Sequence, residues 1–256
     1  MYSPYQLAVK YLRYYVSASN GKGHGIHSPF LFYLITEVIE NNEKLPQFKS
    51  FKQLKKKVLD LIDDPSDSSV KKIYDQFDIR YTKSKKLCKK IELPEKYQQI
   101  VFHLIREFKP SLIIHYGPTL GVNPAILATA NLDGLVYQVN NDPPCKLISK
   151  KLLNDSGIPN IQFIPENSVP NINSEFVLLN CFNNPDFSQS MIQNFINQHS
   201  DDGVLIIRGI HESNEMESMW QNTIAHQNIR VSLDLFEIGI LLFRKGLQKE
   251  NFILKV

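Results

Sequence analysis

From Ser111 onward, short apolar runs alternate with stretches of helical periodicity, and that alternation restricts the fold more than any other feature of the chain. The runs are Leu112–Ile114, Leu135–Val139, Ile161–Ile164, Phe176–Leu179 and Val204–Ile207. Between them lie Pro124–Asn131, Pro143–Asp155, Phe187–Gln198 and Asn214–His226. Continuous apolar strands joined through helices call for a parallel sheet covered on both faces. Ile229–Phe236 and Gly239–Arg244 are separated only by Glu237-Ile238, too little for a helical crossover, so they are expected to pair as an antiparallel hairpin. Asp142-Pro143 has the form of a helix cap followed by a first-turn proline, and Gly157 with Pro159 marks the end of that helix.

The first part of the chain has a different pattern. Tyr5–Ser17, Pro29–Asn41, Phe51–Ile62 and Pro94–Phe108 carry apolar residues at three- and four-residue spacing, which predicts helices. Asp63-Asp-Pro-Ser-Asp-Ser-Ser69 is a polar, turn-rich break. The expected division is a helical N-terminal extension over 1–93 and an α/β domain over 94–256. With 43% hydrophobic residues in 256, the chain can bury a core of that size.

Net charge is only +3, but residues 49–90 hold twelve lysines and Arg80 against six aspartates. Lys55-Lys-Lys57, Lys71-Lys72, Lys85-Lys86 and Lys89-Lys90 read as solvated helix faces diluted by Asp60, Asp63, Asp64 and Asp67, so no nucleic-acid partner is expected. Cys88, Cys145 and Cys181 are scattered and odd in number, which suits a reducing compartment. No apolar run approaches the roughly 20 residues of a membrane span, and the first ten residues lack a signal-peptide core. A cytoplasmic location is the expectation.

The segment Leu112–Ala128 bears most on function. It reads as a strand, a turn with Gly117 and Gly121, and a helix for which Asn123 is the expected N-cap and Pro124 the first residue. A glycine turn entering a helix N-terminus is how α/β proteins present backbone N–H groups to a nucleotide-like ligand. The strand ends in His115, where such pockets often carry a carboxylate.

From about Lys96 to Lys245 the chain resembles the class I S-adenosylmethionine-dependent methyltransferases, in particular the bacterial O-methyltransferase-like branch. There the first strand and turn read Glu-Leu-Gly-Thr-Ser-Leu-Gly-Ile-Ser-Thr, against His115-Tyr-Gly-Pro-Thr-Leu-Gly-Val-Asn-Pro124 here. Gly23-His-Gly-Ile-His-Ser-Pro-Phe30, Ile210-His-Glu-Ser-Asn-Glu-Met-Glu-Ser-Met-Trp220 and Asp234-Leu-Phe-Glu-Ile-Gly239 are further blocks of likeness. The resemblance implies a doubly wound, mostly parallel, Rossmann-like sheet of seven strands with an antiparallel terminal hairpin. It also implies S-adenosylmethionine as cofactor, with His115, Gly117, Thr119, Gly121, Asn140 and Asn180 at the cofactor positions, and a methyl acceptor, small-molecule or other, that the sequence does not identify.

Carried over position by position, the family's acidic residues are missing. His115 stands at the end of the first strand, Asn140 after the second, Asn180 at the end of the fourth, and Arg208-Gly209 replaces a paired Asp-Asp after the fifth. A carboxylate bonds both ribose hydroxyls with charge-assisted bonds of about 1.5–3 kcal/mol each, whereas Asn140 offers one neutral acceptor. A hard divalent cation requires anionic oxygens and would be repelled by Arg208, so no metal is expected. His24 and His27 fall short of a zinc ligand set; Ser28-Pro29 reads as a helix start, and the stretch as a loop over the pocket. His211, after the fifth strand, is a weak candidate for acid–base chemistry, with no partner visible in the sequence. Met216, Met219 and Trp220 read as core. Two readings stay open: a methyltransferase with a divergent cofactor pocket, or an inactive relative that kept the fold as a binding or scaffolding module.

Overall fold

The computed structural model describes residues 1–20, 26–43, 45–63, 71, 84–139, 142–165, 174–180 and 185–256. His24, Asn140, Cys181 and residues 64–70 and 72–83 of the basic stretch lie outside the described residues. The chain forms two compact units, Met1–Asn41 with Leu112–Tyr116 and Pro170–Val256, and Asn42–Ser111 with Gly117–Val169. This division interleaves along the sequence. The reason is visible in the first unit, where the N-terminal helix packs on the C-terminal strand.

In the first unit, helix α1 (Pro4–Ser17) starts where the sequence supplies a complete cap. Ser3 Oγ accepts from Gln6 N–H, Gln6 Oε1 accepts from Ser3 N–H, and Pro4 occupies the first turn. Strand β1 (Ser19–Asn20) follows. Helix α2 (Pro29–Tyr33) is capped by Ser28 as expected, but the predicted single helix to Asn41 continues as a π-helical segment, Leu34–Ile39, burying Leu34, Ile35, Val38 and Ile39. The sheet of this unit comprises β2 (Leu112–Tyr116), β5 (Ser174–Asn180), β6 (His199–Arg208), β7 (Val231–Asp234), β8 (Ile238–Leu242) and β9 (Glu250–Lys255) beside β1. β2–β5 and β5–β6 are parallel, and β7 and β8 form the expected antiparallel hairpin, with β8 also antiparallel to β6. β9 and β1 extend the sheet beyond the seven expected strands, in parallel pairing β7–β9 and β9–β1. Helix α8 (Pro185–Gln198) packs on β5 and β6, and helix α9 (Asn214–Ala225), capped by Ser213, packs on α8.

The second unit contains α3 (Gln47–Ile62), α4 (Ser84–Ile91), α5 (Glu95–Phe108), α6 (Val122–Ala130), β3 (Leu135–Val139), α7 (Pro143–Asn154) and β4 (Ile161–Ile164). β3 and β4 pair in parallel, and α6 lies against both and against α5. α5 stops at Lys109, which takes a left-handed φ of 45° and returns its N–H to Ile105 O, just before Pro110. Asp142 caps α7 as expected, accepting from Cys145 N–H at 2.9 Å. The core of α6 is nearly all apolar, from Val122 to Ala128, as the continuous hydrophobic run requires. Among the described residues no helix is long and apolar enough to cross a membrane.

Candidate functional site

The glycine turn belongs to the second unit, and its geometry follows from two left-handed residues, Gly117 at φ 103° and Gly121 at φ 108°. Only glycine adopts such angles without strain. Gly117 N–H donates to Val139 O at 2.9 Å, and Gln138 Nε2 donates to Gly117 O at 3.1 Å, so β3 fixes the start of the turn. Gly121 is constrained a second way: a Cβ there would lie 3.0 Å from Leu152 Cδ2 and 3.4 Å from Ser149 of α7.

The residue that organises this turn is Glu92, at the α4–α5 junction and 1% exposed. Glu92 Oε1 accepts from Thr119 Oγ1 at 2.8 Å and from Leu120 N–H at 2.6 Å; Oε2 accepts from Asn123 N–H at 2.9 Å. Thr119 Oγ1 in turn accepts from Gly121 N–H at 3.0 Å. A carboxylate at a helix N-terminus satisfies the open N–H groups and the positive end of the dipole together. This corrects one expectation. Asn123 is not the N-cap of α6: Gly121 holds that place without a side-chain cap, because Glu92 supplies the acceptor from outside the helix. Asn123 Oδ1 faces away and accepts from Leu93 N–H at 3.2 Å and Gln98 Nε2 at 3.4 Å. Gln138 Oε1 and Ser149 Oγ, both fully buried beside the turn, have no hydrogen-bond partner among the described residues.

His115 and Asn180 belong to the first unit, at the carboxyl ends of neighbouring parallel strands. His115 is fully buried on β2, in register with Leu178 of β5; Asn180 closes β5, is 2% exposed and is in register with Arg208 of β6. Arg208, where the family pattern has an acid, is itself buried and its Nε donates to Glu237 Oε1 at 3.3 Å. Burial raises the Glu237 pKa, and Arg208 offsets part of that. The cofactor positions within described residues are thus divided between the units: His115 and Asn180 in the first, Gly117, Thr119 and Gly121 in the second. Asn140 lies outside the described residues.

His211 has partners that the sequence did not reveal. Its Nε2 lies 2.8 Å from Asp234 Oδ2 and its Nδ1 3.0 Å from Glu217 Oε1, and its ring stacks on Phe236 at 5.2 Å. Glu217 also accepts from Lys10 Nζ at 2.8 Å and from Tyr2 Oη at 2.9 Å, while Tyr2 further bonds Asn214. Phe236 adopts φ 68°, and its N–H donates to Asp234 Oδ1. Both ring nitrogens therefore face carboxylates, which fits a structural clamp joining α1, α9 and the β7–β8 turn better than a free base. Burial disfavours the charged ring, but the bonds to Asp234 and Glu217 outweigh it and hold its pKa above the ordinary value. A raised folded-state pKa means stabilisation present below the unfolded value of about 6.5 and lost as pH rises through the folded one. The urea midpoint is expected to fall as pH rises from the unfolded value of about 6.5 through the folded-state pKa, and the His211→Asn variant to lose that slope. An unchanged slope in the variant would remove His211 from this role.

Other groups do not extend the site. Burial, then Asp142 and Glu92, push the Cys145 thiol up, so it stays protonated and is a poor nucleophile. A groove of about 320 Å³ in the second unit, lined by Phe51, Leu54, Lys57, Thr129, Asp155 and Ile158 among others, contains none of the expected site residues. Among the described residues no three His, Cys, Asp or Glu side chains converge to hold a metal ion.

No family profile matches the chain, and no curated protein matches it. Solved structures do match in fold. An O-methyltransferase from Bacillus cereus in complex with SAH shares 11% identity, covering 76% of this chain and 99% of its own, at a TM-score of 0.52. A SAH-bound methyltransferase from Podospora anserina shares 11%, covering 80% and 99%, at 0.53. An O-methyltransferase from Streptomyces achromogenes involved in tomaymycin synthesis, in complex with SAM, shares 12%, covering 70% and 91%, at 0.52. Such identities speak for architecture alone, and that architecture is the class I methyltransferase fold: a mostly parallel α/β sheet with an antiparallel hairpin toward its end.

Proposed function

We propose that the protein is an S-adenosylmethionine-dependent methyltransferase with a divergent cofactor pocket and a small-molecule acceptor. The observation that carries this reading is the left-handed glycine turn, 117–121, entering α6 in a chain whose fold is that of proteins solved with SAM or SAH. The residues present fit the cationic end of that cofactor. Glu92 places a buried negative charge at the turn, and Gln138 Oε1 and Ser149 Oγ beside it lack partners among the described residues. In this reading the turn, with Gly117, Thr119 and Gly121, receives the methionine portion and Asn140 the ribose. The bound cofactor supplies an electrophilic methyl group. The protein's part is to orient an acceptor in line with it, and positioning alone can account for much of the acceleration.

Calorimetric titration with S-adenosylmethionine and S-adenosylhomocysteine tests the reading. Micromolar binding is expected, weakened at least about tenfold, or 1.4 kcal/mol, by Gly117→Leu. The absence of heat at millimolar ligand would end it. A second reading, a binding or scaffolding module without methyl transfer, is favoured by the same Glu92: it takes the Leu120 and Asn123 N–H groups that would otherwise meet a ligand carboxylate. Binding of neither compound, with the fold intact, selects this second reading.

A further inference from the structure

A helix N-terminus behind a glycine turn is where α/β folds receive an anion, because its N–H groups are open and the dipole is positive there. In this chain that place is filled from within. Glu92 Oε2 accepts from Asn123 N–H at 2.9 Å, and Oε1 accepts from Leu120 N–H at 2.6 Å and from Thr119 Oγ1 at 2.8 Å. Gly121 N–H is turned back to Thr119 Oγ1 at 3.0 Å, Pro124 has no N–H, and Ala125 N–H donates to Gly121 O. The side-chain oxygens still open beside the turn are of the opposite kind. Gln138 donates Nε2 to Gly117 O, which aims its amide, and its Oε1 has no hydrogen-bond partner among the described residues; nor has Ser149 Oγ of α7. Both residues are fully buried, and the Ser149 α-carbon lies 3.4 Å from the place a Cβ of Gly121 would take. The Gln138 oxygen can only accept, and the Ser149 hydroxyl can accept as well. Asn123 Nδ2 is also open, but its amide is anchored by Leu93 N–H and Gln98 Nε2 around the start of α5.

We propose that Glu92 stands in for the carboxylate of a ligand, and that the turn takes an adenosyl sulfonium whose chain ends in an amine and carries no carboxylate. The inference deepens the sulfonium reading of the turn and rests on it. An ammonium brings three donors and a positive charge, which suit Gln138 Oε1, Ser149 Oγ and the neighbouring charge of Glu92. In the amino-acid form, ammonium and carboxylate share one carbon, so seating the first carries the second toward Glu92. Two carboxylates at one helix end repel each other, and the newcomer finds the Leu120 and Asn123 N–H groups already taken.

Calorimetric titration of the full chain with S-adenosylmethionine and with its decarboxylated, aminopropyl form tests the proposal. The decarboxylated form should bind at least about 30-fold more tightly. Glu92→Gln, which removes the charge, should bring the two within about threefold of each other. Ser149→Ala removes an oxygen that the fold does not use, so it should keep the wild-type urea midpoint while weakening the amine form at least about fivefold. Equal affinities in the wild type, or a preference for S-adenosylmethionine, would overturn the inference and leave the methyltransferase reading standing. Binding of neither form would end both. A preference unchanged in folded Glu92→Gln also overturns it. Should that variant fail to fold by circular dichroism, an unchanged affinity for the amine form in Ser149→Ala does the same.

Discussion

Glu92→Ala should destabilise the protein by about 4 kcal/mol, because each buried donor left without an acceptor costs roughly 1–3 kcal/mol and three donors depend on this one side chain. They are Thr119 Oγ1, Leu120 N–H and Asn123 N–H, at 2.8, 2.6 and 2.9 Å. The figure lies below the sum of the worst cases because water entering the vacated space would satisfy part of the set. Glu92→Gln should cost about half as much: its oxygen can serve Thr119 and Leu120, but its amide then opposes the Asn123 N–H. Urea unfolding at constant m-value measures both. A loss under about 1 kcal/mol for Glu92→Ala would mean that the helix N-terminus is satisfied by solvent instead.

Gly239→Ala is expected to be nearly as damaging, for a steric reason. Gly239 lies in β8, paired with Ile207 of β6 on one side and Asp234 of β7 on the other, so the backbone cannot move aside freely. A Cβ at this position would stand 2.5 Å from Trp220 Cη2 and Cζ3, and Trp220 is only 1% exposed. Overpacking of this kind costs about 1–3 kcal/mol, and the fixed strand and buried indole place this case at ~3. The same substitution in a Trp220→Leu background should be almost neutral. The double-mutant cycle then gives a coupling of about 2 kcal/mol or more, whereas additivity would show that the strand shifts to make room.

The sequence shows the parallel framework because its strands are buried on both faces and therefore continuously apolar. Leu135–Val139 and Ile161–Ile164 begin and end where expected, and Asp142 caps its helix from three residues away. The hairpin is equally plain, since two residues leave no alternative connection. β9 is harder to see: Phe252, Ile253 and Leu254 are one short apolar run among polar residues, and its pairing with β7 depends on residues 19 positions earlier. Contacts between distant residues account for the rest of what was hidden at the site. Asn123 has the right chemistry for a cap, but the acceptor that displaced it lies 31 residues upstream. A single acid in the otherwise apolar Ile91-Glu92-Leu93 was the available signal. His211 looked solitary because one of its carboxylates is on the following helix and the other 23 residues on, across the hairpin.

Gly121 has a consequence for how such chains are recognised. Leu152 and Ser149 crowd the place a Cβ would take there, and its backbone angle strains any other residue, whatever the loop does or does not bind. A lineage that abandoned its small molecule would still be held to glycine there by α7 alone. The fingerprint by which nucleotide-type pockets are sought can therefore outlast the pocket's use, as an imprint of one helix on another, and chemistry is better diagnosed from the atoms that carry charge.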